Sequence, residues 1–198
     1  DLRARVVGEG GNLGFTQRAR IEFAKLDGRI FSDAIDNSGG VDCSDHEVNI
    51  KILLDNIVAT GNLSFDDRND LLAEMTDEVA DHVLRNNYLQ TQALSVARAE
   101  SDVMLAQHVR FVRQMQAEGE LDPDLEFLPD EEEISARLGD HVGYTAPELA
   151  VLLAYSKIGL YADLLTSNIA DDPFLQDALL NYFPSLLRER FAERIPDH

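Results

Sequence analysis

The chain opens with apolar Val6 and Val7 inside the stretch RARVVG, which predicts a short strand over residues 3–8. Glycines 8, 10 and 11 interrupt it. Thr16 then stands as an N-cap before QRARIEFAKLD, which predicts a helix ended by Gly28. RIFSD, residues 29–33, reads as a second strand. DNSGG reads as a loop, and Ser44 or Asp45 as the cap of a helix over about 45–59. This strand–helix–strand–helix order requires a parallel sheet. Two strands cannot bury two sheet faces, so the segment reads as the end of a larger α/β domain.

From residue 61 the pattern becomes helical throughout. Leu71, Leu72, Met75, Val79 and Val83 recur at helical spacing and predict a helix over 66–86, with Ser64 as its N-cap. The pattern continues to about residue 120, with a bend expected near Asn86–Asn87. Two prolines and an acidic run then mark a connector holding one short helix, about 130–138. Thr145 caps a strong helix with Pro147 in its first turn. Its apolar residues, from Leu149 through Leu165, cover most of its circumference, which predicts burial on two sides. Two helical pieces follow, about 173–182 and 184–194. The expected fold class is mainly α. A short α/β remnant, the end of a Rossmann-like nucleotide-binding domain, fills 1–60, and an all-helical domain fills 61–198.

Composition narrows the function classes. With 17 basic and 37 acidic residues the net charge is −20. That excludes sequence-independent nucleic-acid binding, which needs cations to displace phosphate counterions, and it disfavours an anionic membrane surface. No run of 18 apolar residues occurs, so no membrane span is expected. The single cysteine, Cys43, rules out an internal disulfide and suits a reducing cytoplasm. Asp1 in place of a starting Met suggests a piece of a longer chain.

The candidate chemistry lies at the two glycine loops. Each follows an expected strand, and the C-terminal ends of parallel strands are where open α/β folds place ligands. Asn12 and Asn37 stand just past those ends, where an amide can both donate and accept toward a ribose, a carboxamide or a carboxylate. Gly39 and Gly40 permit close backbone approach, and Ser44 stands near a helix N-terminus, where a carboxylate is favoured. A purely structural turn accounts for either loop as well. Neither is a full G-x-G-x-x-G fingerprint, and Cys43, His46 and Glu47 match no zinc spacing, so no metal is expected.

EGGN at 9–12 followed by DNSGGVDCSDHE at 36–47 resembles the tail of the glutamate dehydrogenase catalytic core. The order GEGGNLGFTQRARIEF, DNSGGVDCSDHEVNIKILL, NNYLQTQALS and GYTAPELAVLLAYSK is similar to the large bacterial NAD-specific members of that family. The resemblance implies oxidative deamination of L-glutamate to 2-oxoglutarate and ammonia, with NAD as cofactor, in a cytoplasmic homo-oligomer. It implies that Asn12 and Asn37 lie by the nicotinamide and its ribose. It also implies that Asn37, Gly39, Gly40, Val41 and Ser44 bind substrate. Gly11 and the stretch Leu13–Phe15 depart from the common family pattern. No catalytic residue is carried over: Lys25, Lys51 and Lys157 sit in no matching motif, and the dinucleotide glycine loop is absent. The alternative is a non-catalytic helical regulatory or oligomerisation module whose glycine loops are structural.

Overall fold

The computed structural model describes residues 2–197. The helices are α1 (Gln17–Lys25), α2 (Asp33–Asp36), α3 (Ser38–Ala59), α4 (Phe65–Glu74), α5 (Thr76–Ala99), α6 (Leu105–Ala117), α7 (Glu131–Asp140), α8 (Ala146–Thr166), α9 (Gln176–Tyr182) and α10 (Ser185–Phe191). The protein is mainly α, as the periodicity predicts.

The expected strands do not form among the described residues. A single parallel bridge joins Val6 to Arg29. It is made by Val7 N donating to Arg29 O and Arg29 N donating to Arg5 O, both at 2.9 Å. With no third strand to extend the ladder, such a pairing stays at its minimum length.

Several helix starts follow their caps. Thr16 Oγ1 accepts from Ala19 N at 3.2 Å, Ser64 Oγ from Asp67 N at 3.0 Å, and Asp130 Oδ1 from Glu133 N at 2.8 Å. Three boundaries differ from expectation. Helix α3 begins at Ser38, not near residue 45, so Gly39, Gly40, Val41 and Ser44 lie within its first two turns and not in a loop. First-turn amides need no helical acceptor, which softens the cost of glycine there. The long helix breaks at Met75 and again over 100–104, not near Asn86–Asn87. Both asparagines are accommodated within the helix: Asn86 Nδ2 donates to Asp42 Oδ2 at 2.9 Å, and Asn87 Nδ2 donates back to Val83 O, one turn earlier, at 2.8 Å. Finally, α8 is long and apolar enough to cross a membrane by length and composition. Glu148, Lys157 and Asp163 interrupt any wholly apolar run, which is why that rule passed over it.

The chain divides into two compact units, residues 1–38 with 88–162, and residues 39–87 with 163–198. In the first unit, α6 turns Leu105, Val109, Val112 and Met115 toward Leu149–Leu152 of α8, with Leu94, Ile35, Leu121, Leu128 and Tyr144 completing the core. In the second, Ile50, Leu53, Leu54 and Ile57 of α3 pack with Leu71, Met75, Phe183, Leu187 and Ile195. Full burial of such a side chain contributes about 1.5–3 kcal/mol. The expected two-sided burial of α8 holds for its first half only. Ile158, Leu160, Tyr161 and Leu165 are 53%, 59%, 65% and 68% exposed.

Candidate functional site

In the first unit the segment 8–16 is held by carboxylates and not by its glycines. Glu9, 5% exposed, grips Arg20 of α1 bidentately, with Arg20 Nε donating to Oε2 at 2.6 Å and a terminal nitrogen to Oε1 at 2.9 Å. Such forked pairs are the geometrically specific form of ion pair. Glu9 Oε1 also accepts from Phe15 N at 2.9 Å. The one-turn α2 adds two more anchors. Asp36 Oδ2 accepts from Glu9 N, and Asp33 Oδ2 from Leu13 N, each at 2.8 Å. Asp33 also lies 3.3 Å from Arg20. Burial opposes ionisation of Asp33, but the Leu13 N–H and Arg20 outweigh it and hold its pKa below the usual carboxylate range. Burial wins at Asp36, whose pKa is raised.

Against this frame, Asn37 Nδ2 donates to Gly10 O at 2.5 Å. The two glycine-flanked segments are therefore tied together, through the residue that sequence spacing singled out. Asn37 stands directly after α2, so a helical turn separates it from the residues paired with Val6. Asn12 is exposed. The left-handed backbone here belongs to Leu13, at φ 62°, and to neither Gly10 nor Gly11. A Cβ at Gly10 or Gly11 would meet nothing within 4 Å. The backbone at Gly10 and Gly11 is thus open on the side where a Cβ would stand.

In the second unit, Gly40, Val41 and Ser44 are exposed along the start of α3. Gly39 faces Asn87, whose Nδ2 would lie 3.3 Å from an added Cβ, so glycine here serves a close approach. Cys43 is exposed and unbonded to sulfur, and Glu47 pairs with Lys51 at 2.5 Å. His46, by contrast, is 1% exposed and stacks on Tyr182 with ring centroids 4.5 Å apart. Burial lowers its pKa, with Asp42 opposing.

The groups that sequence reasoning missed are Glu9, Arg20, Asp33 and Asp36. A usable signal was present: a carboxylate directly before the paired glycines, and two aspartates one helical turn apart, Asp33 closing the second expected strand and Asp36 just past it. A second buried pair also went unread. Arg137 of α7, in the first unit, bonds Glu148 of α8 at 2.9 and 2.8 Å. Glu148 Oε2 further accepts from Thr145 N at 2.6 Å and Thr145 Oγ1 at 2.7 Å, the return half of a capping box.

Comparison with known proteins gives the same reading for both ends of the chain. A model of the bacterial NAD-glutamate dehydrogenase catalytic domain matches residues 1–97, and one of the glutamate dehydrogenase C-terminal region matches residues 141–198. The chain is 49% identical over 198 residues to the NAD-specific glutamate dehydrogenase of Halomonas elongata and 50% identical over 198 to that of Pseudomonas aeruginosa. It is 46% identical over 197 residues to that of Mycobacterium tuberculosis. Each alignment takes in 100% of this chain but 12% of the relative, so the chain spans about an eighth of their length. With both ends matched by models of one kind and its whole length aligned to such enzymes, the chain belongs to the bacterial NAD-glutamate dehydrogenase family.

Proposed function

We propose that this chain works as part of an NAD-specific glutamate dehydrogenase that oxidatively deaminates L-glutamate to 2-oxoglutarate and ammonia, and that it is inactive by itself. Residues 1–60 would close a Rossmann-like nucleotide-binding domain, and 61–198 would form a helical C-terminal domain. NAD supplies the hydride acceptor when bound. Asn12 and Asn37 bind its nicotinamide and ribose. Asn37, Gly39, Gly40, Val41 and Ser44 bind glutamate. The observation that carries the reading is the bond from Asn37 Nδ2 to Gly10 O, which fixes one proposed ligand-binding amide against the loop that presents the other. The buried Glu9–Arg20 fork holds that loop from beneath, so Asn12 is presented on a fixed base.

A cytoplasmic homo-oligomer is part of the same proposal. The exposed apolar half of α8, from Ile158 to Leu165, supports an assembly surface. It is also the observation that favours the second reading, a regulatory or oligomerisation module without a catalytic role.

The test is glutamate-dependent NAD reduction by a full-length enzyme carrying this sequence. Asn37→Ala and Ser44→Ala should each lower kcat/KM about thirtyfold, a loss of about 2 kcal/mol in transition-state binding. Unchanged kinetics in both would remove these residues from the active site and leave the module reading.

A further inference from the structure

We propose that the second unit carries a separate binding site, a cleft for a small molecule bearing phosphate or carboxylate groups. The cleft encloses about 520 Å3, within the range of small-molecule sites. Its walls come from α3 (His46), α5 (His82, Arg85, Asn86), α9 (Asn181, Tyr182) and α10 (Arg188). In a chain with more than twice as many acids as bases, two arginines and two imidazoles converge here.

Their bonding is incomplete. His46 is 1% exposed, yet neither ring nitrogen has a hydrogen-bond partner. Asp42 lies 3.8 Å from its Nε2, too far for one. Arg188 Nε is likewise buried without a partner, while a terminal nitrogen donates to Asn181 Oδ1 at 2.6 Å. Arg85 makes no ion pair among the described residues. Buried polar atoms are nearly always bonded, and leaving one unbonded costs stability. An oxyanion in the cleft would accept from these donors, and an arginine fork is shaped for it.

Of the nearby acids Asp42 and Glu78 are already engaged, which leaves Asp45, whose charge reaches His46 and Tyr182, against two arginines. Asp42 accepts from Asn86 Nδ2 at 2.9 Å. Glu78 accepts from Ser185 N at 2.8 Å and Ser185 Oγ at 2.7 Å. These contacts also orient Asn86 and the start of α10, the helix that carries Arg188.

The experiment titrates the 198-residue chain with inorganic pyrophosphate and, separately, with succinate, followed by calorimetry and by the histidine side-chain resonances in NMR. Saturable binding of at least one probe, with shifts of His46, is expected. Preference for pyrophosphate assigns a phosphorylated ligand, and preference for succinate a dicarboxylate. Arg85→Gln, at an exposed position with no ion pair among the described residues, should weaken Kd at least tenfold, and so should Arg188→Gln. Arg98→Gln, outside the cleft on α5, should leave Kd unchanged. Two results would overturn the proposal: no saturable binding of either probe to the wild-type chain, or equal weakening by Arg85→Gln and Arg98→Gln.

Discussion

Glu148→Ala removes the hub of the α7–α8 junction. Glu148 is 1% exposed and Arg137 is 6% exposed, so both charges have left water. Their two bonds, at 2.9 and 2.8 Å, vanish with the carboxylate, as do the acceptors of Thr145 N and Oγ1. Breaking a buried pair by removing one partner costs about 3–5 kcal/mol, mostly through the charge left behind. Here Arg137 keeps Glu133, which accepts from Nε at 3.1 Å and from a terminal nitrogen at 2.7 Å. That residual partner, 40% exposed, places the expected loss at the lower end, about 3 kcal/mol. For a chain of this size the matching drop in Tm is roughly 6–12 °C. Urea unfolding followed by circular dichroism measures it. A second variant isolates the pair: Arg137→Met with Glu148→Leu replaces both charges by apolar groups. It should cost at least about 1.5 kcal/mol less than the sum of the two single changes. A Glu148→Ala loss below about 1 kcal/mol, or strict additivity in the double variant, would refute the reasoning.

Other positions give sharper contrasts. A Cβ at Gly143 would lie 2.1 Å from the backbone carbon of Ser101 and 2.2 Å from its oxygen, so Gly143→Ala should destabilise by about 2–3 kcal/mol in the same unfolding experiment. His141 ends α7 at φ 55°, a conformation glycine adopts without strain, so His141→Gly should raise stability by about 0.5–1 kcal/mol, read as a higher urea midpoint. His46 and His108 both have pKa values lowered by burial. Below the unfolded histidine pKa of 6.5 the unfolded chain therefore binds more protons, and stability should fall as pH drops from about 7 toward 5. His108→Leu should flatten that slope, and an unchanged slope would show that His108 does not contribute to it. Asp33 adds a separate loss at lower pH: its depressed pKa stabilises the fold above the ordinary carboxylate range, and that stability disappears as pH falls through its folded value.

What could be read from the sequence was local. Thr16 and Ser64 announce helix starts because a side-chain oxygen three residues before a backbone amide is a sequence-distance relation. Asn37 stands out in the sequence because its spacing from the first glycine loop follows a family pattern, and the structure bonds it to Gly10 O. The start of α3 was not: Ser38–Gly39–Gly40 has every mark of a loop, and it becomes helical with Ser38 Oγ donating to Ile35 O at 2.8 Å and Asn87 packed against Gly39. The break at Met75 was hidden because apolar spacing runs through it unchanged. Glu9 with Arg20 and Arg137 with Glu148 were hidden for a further reason. Each pair is 11 residues apart, and nothing in a charged residue's own neighbourhood says that it will be buried.

The four-residue helix α2 is too short to be stable alone, since a single turn has not repaid the cost of its nucleation. It persists because Asp33 and Asp36 accept amides from Leu13 and Glu9, twenty and twenty-seven residues earlier. Those amides, in turn, lie in a segment with no regular structure and would otherwise exchange freely with solvent. Loop and turn therefore protect each other and open as one cooperative unit. In deuterium exchange, the amides of Glu9, Leu13 and α2 share one opening free energy, so a stretch that looks like coil keeps time with a helix.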